Sequence, residues 1–390
     1  MSIVSIVKTS GDDERSVAAA VREAIREIGG IDDIVKPGYT VIVKPNFVAV
    51  PSERLSGAVT RWEAAKAVAD LVRERGAEPI IAESSAAGVD TEKVIEKTEY
   101  DLLRKQGYKV VDLKQTPPVT VSVPAGWKVF GEMKTWEPVK KADAIISVPV
   151  LKTHDQTEVT LGLKNIKGLI SDAHKKDFHR YGVLEGVVDL ITTFRPVLTV
   201  IDGTWGQEGL GPIFGTPVPM GLIVASKDMV AADAVGGRIM GYDPKDVPIT
   251  VRAAARGLGE MDLSKIEIRG VPVSQVERRF LRASETKIEG LPPFDLLMDE
   301  GACTGCRNTV ISAIMDMKSQ NLESNLKGKC IVCGPLDESK LPPDVPKDRV
   351  VLVGICTRQL EKRGTFVPGC PPNNVYVVRG VVGEEVANRY

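Results

Sequence analysis

The N-terminal third alternates short apolar runs with amphipathic stretches, a pattern that few architectures can absorb. Ser2 to Val7, Thr40 to Val43, Glu78 to Ala82 and Lys109 to Leu113 read as strands. Between them, Glu14 to Ile28 puts Val17, Ala20, Val21, Ala24 and Ile25 on one helical face and stops at Gly29-Gly30. Thr60 to Arg75 does the same with Ala64, Val68, Leu71 and Val72, and Val94 to Gly107 is again helical. This alternation predicts an α/β fold: a mixed, mostly parallel sheet with helices on both faces.

Later segments extend that plan. Pro117 to Thr135 is rich in β-type residues, Pro and Gly, and is expected to be a hairpin at the sheet edge. Ala144 to Val148 is a buried strand that breaks at Pro149, and Val197 to Ile201 is another that ends in Asp202-Gly203. The stretch that follows has five glycines in fifteen residues and is expected to be an exposed loop, an anion cradle or a lid. Met220 to Ala225 is a strand, Asp228 caps a helix from Met229 to Met240, and Ile266 to Ile268 closes the sheet. The large α/β domain is therefore placed at residues 1–275. A charged, apolar-poor connector covers 276–295, and a small α/β metal-binding domain 296–390.

In open α/β sheets, ligands sit beyond the carboxyl ends of the strands, so the residues at those ends are the candidate site. Lys44 and Asn46 follow the second strand, Glu83 ends the third, and Lys152, Thr153 and His154 follow Pro149. Lys164 and Asn165 come just before Gly168, and Asp202 ends its own strand. Lysines and a histidine in one crevice suit a carboxylate or phosphate ligand. Lys152, His154 and Asp202 are the candidate catalytic groups; Lys44, Asn46, Glu83, Thr153, Lys164 and Asn165 are the candidate substrate contacts. Each carboxylate has a base, a metal ligand or a helix cap as its possible role. His174 and His179, with lysines between them, are expected on a mobile basic flap. Neither a Walker A nor a GxGxxG followed by a helix is present, so nothing specific points to a nucleotide.

Charge excludes more than it selects. With 51 basic and 52 acidic residues there is no global field for nucleic acid or an anionic membrane. No apolar run approaches the roughly 20 residues that span a bilayer, and the first residues have no signal-peptide pattern, so the expected location is the cytoplasm. The expected partners are a small anionic substrate, a redox partner protein and a second copy of the chain.

All six cysteines lie between Cys303 and Cys370. In a reducing compartment such clustering reads as metal or redox chemistry rather than as disulfides. Cys303 and Cys306 form a CxxC just before a helix, where the positive helix end favours a thiolate. Cys330 and Cys333 form a second CxxC inside a β-type run, where alternation puts them on opposite faces. Cys356 follows a strand directly, and Cys370 is followed by Pro, as iron–sulfur ligands often are. Four thiolates suit a 4Fe-4S cluster. Cys303, Cys306, Cys356 and Cys370 are the first choice, Cys333 the reserve, and Cys330 the structural thiol. The alternative is zinc, since two CxxC pairs with a spacer approach the zinc-ribbon form.

The motifs Lys44-Pro45-Asn46, Gly57-Ala58-Val59-Thr60, Pro149 to His154, Leu161 to Gly168, Val200 to Gly203 and Asp228 to Gly236 occur here in one order and spacing. In this the sequence resembles the family of domain of unknown function 362, over roughly residues 3–270. The resemblance implies an association with iron–sulfur domains, although the C-terminal part lacks the CxxCxxCxxxCP string of bacterial-type ferredoxins. Arg61 stands where the family commonly has His, so no histidine role is carried to that position.

The reading that results is an iron–sulfur enzyme, an oxidoreductase or lyase, acting on a small anion. The alternatives are an electron carrier or metallo-scaffold that docks a redox partner, and a zinc-ribbon ligand-binding protein.

Overall fold

The structure is a computed structural model that describes residues 1–384 and 386. The last residues of the expected cysteine-rich domain, 385 and 387–390, lie outside the described ones. The chain forms two compact units. One comprises Met1–His154, Val159–Lys175 and Leu184–Leu281; the other comprises Asp155–Glu158, Lys176–Val183 and the chain from Arg282 on.

Strands in chain order are β1 (Ser2–Lys8), β2 (Thr40–Pro45), β3 (Glu78–Glu83), β4 (Lys109–Asp112), β5 (Pro118–Ser122), β6 (Glu132–Trp136), β7 (Ala144–Val148) and β8 (Val150–His154). They continue with β9 (Glu158–Val159), β10 (Leu198–Glu208), β11 (Thr216–Ser226), β12 (Ile266–Gly270), β13 (Asp295–Met298), β14 (Cys330–Cys333), β15 (Val350–Val353) and β16 (Thr365–Val367). The main sheet runs β12-β1-β11-β10-β7-β2-β3-β4, with β8 pairing to β10. Only the pairs made by β11 are antiparallel along that path; β12/β1, β10/β7, β7/β2, β2/β3 and β3/β4 are parallel. The fold is the mixed, mostly parallel α/β sheet that the alternation predicts.

Helices cover both faces because successive strand residues point to opposite sides. Val200 and Ile223 pack with Val17, Val21 and Val68 from the helices Glu14–Glu27 and Trp62–Glu74. Ile201, Leu222 and Val224 instead pack with Ala231, Val235 and Ile239 from the helix Met229–Ile239. That helix is capped as expected: Asp228 Oδ1 accepts from Val230 N at 2.9 Å and Ala231 N at 3.0 Å.

Three local expectations are corrected. The segment expected at the sheet edge forms its own two-stranded antiparallel sheet, β5 with β6, apart from the main one. The Gly-rich stretch is not all loop: Gly203 to Glu208 extends β10, and only residues 209–215 connect it to β11. Glycine is what lets this strand run where it does, since a Cβ on Gly206 would stand 2.7 Å from Leu151 O. His174 and His179, expected on a mobile basic flap, lie on a regular helix, Asp172–Tyr181.

In the second unit β13, β14, β15 and β16 form a fully parallel sheet, and the helices Thr304–Ser319 and Asn374–Val382 pack against one of its faces. Among the described residues no helix is long and apolar enough to cross a membrane.

Candidate functional site

Parallel strands bring their carboxyl ends to one edge, and there the first unit concentrates buried polar side chains. Lys44 is the penultimate residue of β2, in register with Ser147 of β7, and is buried. Its ammonium donates to the Glu83 carboxylate at the end of β3, to Pro45 O at 2.8 Å and to Asn165 Oδ1 at 2.9 Å. Burial lowers the Lys44 pKa, and the charge of Glu83 opposes that shift. The same carboxylate accepts from Ser84 N at 2.9 Å and lies against Gly168, where a Cβ would stand 1.5 Å from Glu83 Oε1. Gly168 is therefore glycine for want of room.

Asn165 ends the short helix Leu161–Asn165 and joins two strands, β2 and β7. Its Nδ2 donates to Lys44 O and Ser147 Oγ, both at 3.0 Å, while Asn46 Nδ2 donates to its Oδ1 at 3.1 Å. Asn46 Oδ1 in turn accepts from Lys152 Nζ at 3.1 Å. Lys44, Asn165, Asn46 and Lys152 thus form one continuous buried network.

Lys152 is the exceptional member. It has no exposed surface, and its ammonium donates only to neutral oxygens: Asn46 Oδ1, Ala58 O and Pro212 O at 3.2 Å. Desolvation first, and then the charges of Lys164 and Lys44, hold its pKa well below the ordinary lysine range. The charge of Glu83 opposes that shift, and the three acceptors orient the amine without an ion pair. Nearby, Lys164 Nζ lies 3.0 Å from His154 Nε2. Which of the two donates in this contact depends on the imidazole tautomer.

Thr153 and Asp202 are committed to local structure. The Thr153 hydroxyl donates to Gly209 O at 2.8 Å, tying the 209–215 segment to β8. Asp202 accepts from Arg61 N at 2.9 Å, Thr204 N at 3.0 Å and Thr204 Oγ1 at 2.7 Å. Its pKa is raised by burial, against the pull of these bonds. Arg61 itself faces Glu63 at 2.8 Å.

Three buried groups escaped the sequence reading as site residues. Asp233, on the helix Met229–Ile239, accepts from Gly162 N at 2.7 Å and Leu163 N at 3.0 Å, and burial pushes its carboxyl up to about 8. Lys175 donates to Ser84 O at 2.7 Å and Ser85 O at 2.6 Å, and burial brings its pKa down to about 8. Gln207 is fully buried opposite Lys152 in the β10–β8 register. Asp233 was visible as a charge inside an apolar helix; the other two carry no local signal.

In the second unit, alternation along β14 places Cys330 and Cys333 in different clusters. Cys330 packs with Val332 and Leu352, whereas Cys333 packs with Cys306, Val351 and Val353. One metal ion cannot take both thiols of an extended CxxC, which is what the zinc-ribbon reading requires. Cys303 is exposed at the N-cap of the helix Thr304–Ser319. A hydrogen bond from Cys306, and then backbone amides of the helix start, hold Cys303 down to about 5 against burial. The Cys306 thiol is pushed far up by that same bond, by burial, and by the charges of Cys303, Cys333 and Cys370. Burial and the charge of Cys303 raise Cys333 to about 12. Four thiols therefore share one electrostatic neighbourhood, with Cys333 in the company expected of Cys356. Cys306 also lies against the turn before Cys356, since a Cβ on Gly354 would stand 2.6 Å from its sulfur. Among the described residues, no three His, Cys, Asp or Glu side chains stand together as a set that holds a metal ion.

Comparison with known proteins adds three findings. The family described as Domain of unknown function (DUF362) matches residues 41–238. The thylakoid-associated protein sll1697 of Synechocystis sp. is 31% identical over 264 residues, which span 65% of this chain and 79% of that protein. Among solved structures, the lactate racemase apoprotein from Thermoanaerobacterium thermosaccharolyticum aligns with a TM-score of 0.40 at 12% identity, over 97% of this chain and 90% of that one. The family match spans half the chain and contains the whole Lys44–Asn165–Lys152 network, and the cyanobacterial relative repeats the likeness at the level of sequence. On that ground the chain belongs to the DUF362 family.

Proposed function

We propose that this chain is an iron–sulfur protein whose α/β unit is an enzyme acting on a small carboxylate- or phosphate-bearing molecule at the strand ends. Lys152 carries the reading: a fully buried amine that makes no ion pair among the described residues, and whose charged form burial disfavours, gains its counter-charge when an anion binds. Lys44 is already matched by Glu83 and forms the floor with Asn165 and Asn46. The ligand's anionic group would take the place of the Pro212 carbonyl on Lys152. His154, whose Nε2 lies 3.0 Å from Lys164 Nζ, is the group proposed to hold a proton beside it.

Cys303, Cys306, Cys333 and Cys370 are the thiolates proposed to hold a 4Fe-4S cluster, with Cys356 as the alternate ligand. They fit the group by donor type and by their shared electrostatic neighbourhood rather than as an assembled geometry. A cluster there supplies single-electron transfer, or Lewis acidity where one iron lacks a thiolate. The exposure of Cys303, Cys356 and Cys370 favours a second reading, an electron carrier whose cluster lies near the surface.

The test is iron and acid-labile sulfide analysis of anaerobically prepared protein, joined to phosphate titration of the native chain and Lys152→Met. About four irons with matching sulfide are expected, and about tenfold weaker phosphate binding in the variant. One zinc without sulfide overturns the cluster; equal phosphate binding by both chains overturns the anion site.

A further inference from the structure

Lys152 and Gln207 are Cα partners in the parallel pairing of β8 with β10, so their side chains leave the sheet side by side. They reach the same two segments, 56–58 and 212–213. Lys152 Nζ donates to Ala58 O and to Pro212 O; Gln207 Nε2 donates to Ser56 O at 3.2 Å and approaches Ile213 O at 3.5 Å. Two carbonyls facing one end of the amide fix its orientation: the nitrogen takes that end and Oε1 takes the other. Oε1 is buried and has no hydrogen-bond partner, on a residue with no exposed surface.

A buried acceptor without a donor costs free energy, and this one belongs to the residue paired in register with Lys152, which makes no ion pair among the described residues. Both wants are met by one kind of molecule. An anion bound to Lys152 that carries a hydroxyl or amino group would donate that group's hydrogen to Gln207 Oε1. Residues 212 and 213 cover both positions and would give way to it. Gly211 lets the segment lie so close, since a Cβ there would stand 2.1 Å from Thr153 O.

We infer that Gln207 is a specificity-determining residue of the Lys152 site, selecting small anions that bear a hydrogen-bond donor over those that do not. The inference rests on the anion site proposed above. A matched pair of probes separates the two ideas: malate against succinate, which differ only by the hydroxyl, titrated into the full chain by calorimetry or ligand-observed NMR. Native protein is expected to bind malate about tenfold more tightly than succinate. In Gln207→Leu that ratio is expected to collapse to about one. Because the ratio is taken within each protein, a mild folding defect cancels. Binding of both acids without discrimination by native protein, or discrimination that survives in Gln207→Leu, overturns the role of Gln207 alone. Binding of neither acid, with Lys152→Met indistinguishable from native, overturns the anion site and this inference with it.

Discussion

Lys44 and Lys152 are both buried ammonium groups on neighbouring parts of one network, yet they differ in what removal would expose. Deleting Lys44 leaves the Glu83 carboxylate buried without its cation, and stranding one partner of a buried pair costs about 3–5 kcal/mol. Deleting Lys152 removes a desolvated charge and leaves only neutral oxygens behind, one of them the Asn46 amide, so its cost is expected below about 2 kcal/mol. Urea unfolding of Lys44→Met and Lys152→Met measures the difference. A large gap marks Lys152 as a group kept for ligand binding at little structural benefit, whereas equal losses would make it another structural tie.

At the scale of the element, β14 is the informative strand, because period-two alternation sorts its residues with no help from the rest of the chain. Cys330 and Val332 face one cluster, and Ile331 and Cys333 face the other. Cys330→Ala is therefore expected to retain iron and to lose about 1 kcal/mol of stability from a small cavity. Cys333→Ser is expected to lose iron. Iron per chain, beside the urea midpoint, checks both, and the reverse pattern would reassign the ligand. That alternation made the sorting of Cys330 from Cys333 legible in the sequence, as short apolar runs between amphipathic stretches made β1 to β4 legible. What escaped was set by distant contacts. Gly203 to Glu208 looks like a loop by composition, and becomes strand because Gly206 admits Leu151 and Phe280 from far along the chain and Gly57 in turn admits Gly206. The burial of Lys44 depends on Glu83, 39 residues away, and on Asn165, 121 residues away. Which polar residues gather was readable from strand ends; which of them are tied up in structure, as Asp202 and Thr153 are, was not.

For the molecule as a whole, the separation of its cores decides how it should unfold. The clusters of the first unit are built from residues up to Phe280, and those of the second from Cys306 onward, with no residue in common among the described ones. The second unit has four short parallel strands and two helices over them, with Cys306 and Cys333 inside one of its two cores. A cluster tying Cys303 and Cys306 to Cys333 and Cys370 would cross-link the start of a helix to the ends of strands, so its binding free energy would add to the stability of that unit. Calorimetry of the anaerobic protein is expected to show two transitions, with iron chelation lowering one of them by about 10 °C or more and leaving the other in place. The displaced transition should be the one abolished in Cys306→Ser. Movement of both transitions together would mean that the two cores unfold as one. Movement of neither would mean that the metal contributes nothing to folding, and the cysteines would then have to be explained by thiol chemistry rather than by ligation.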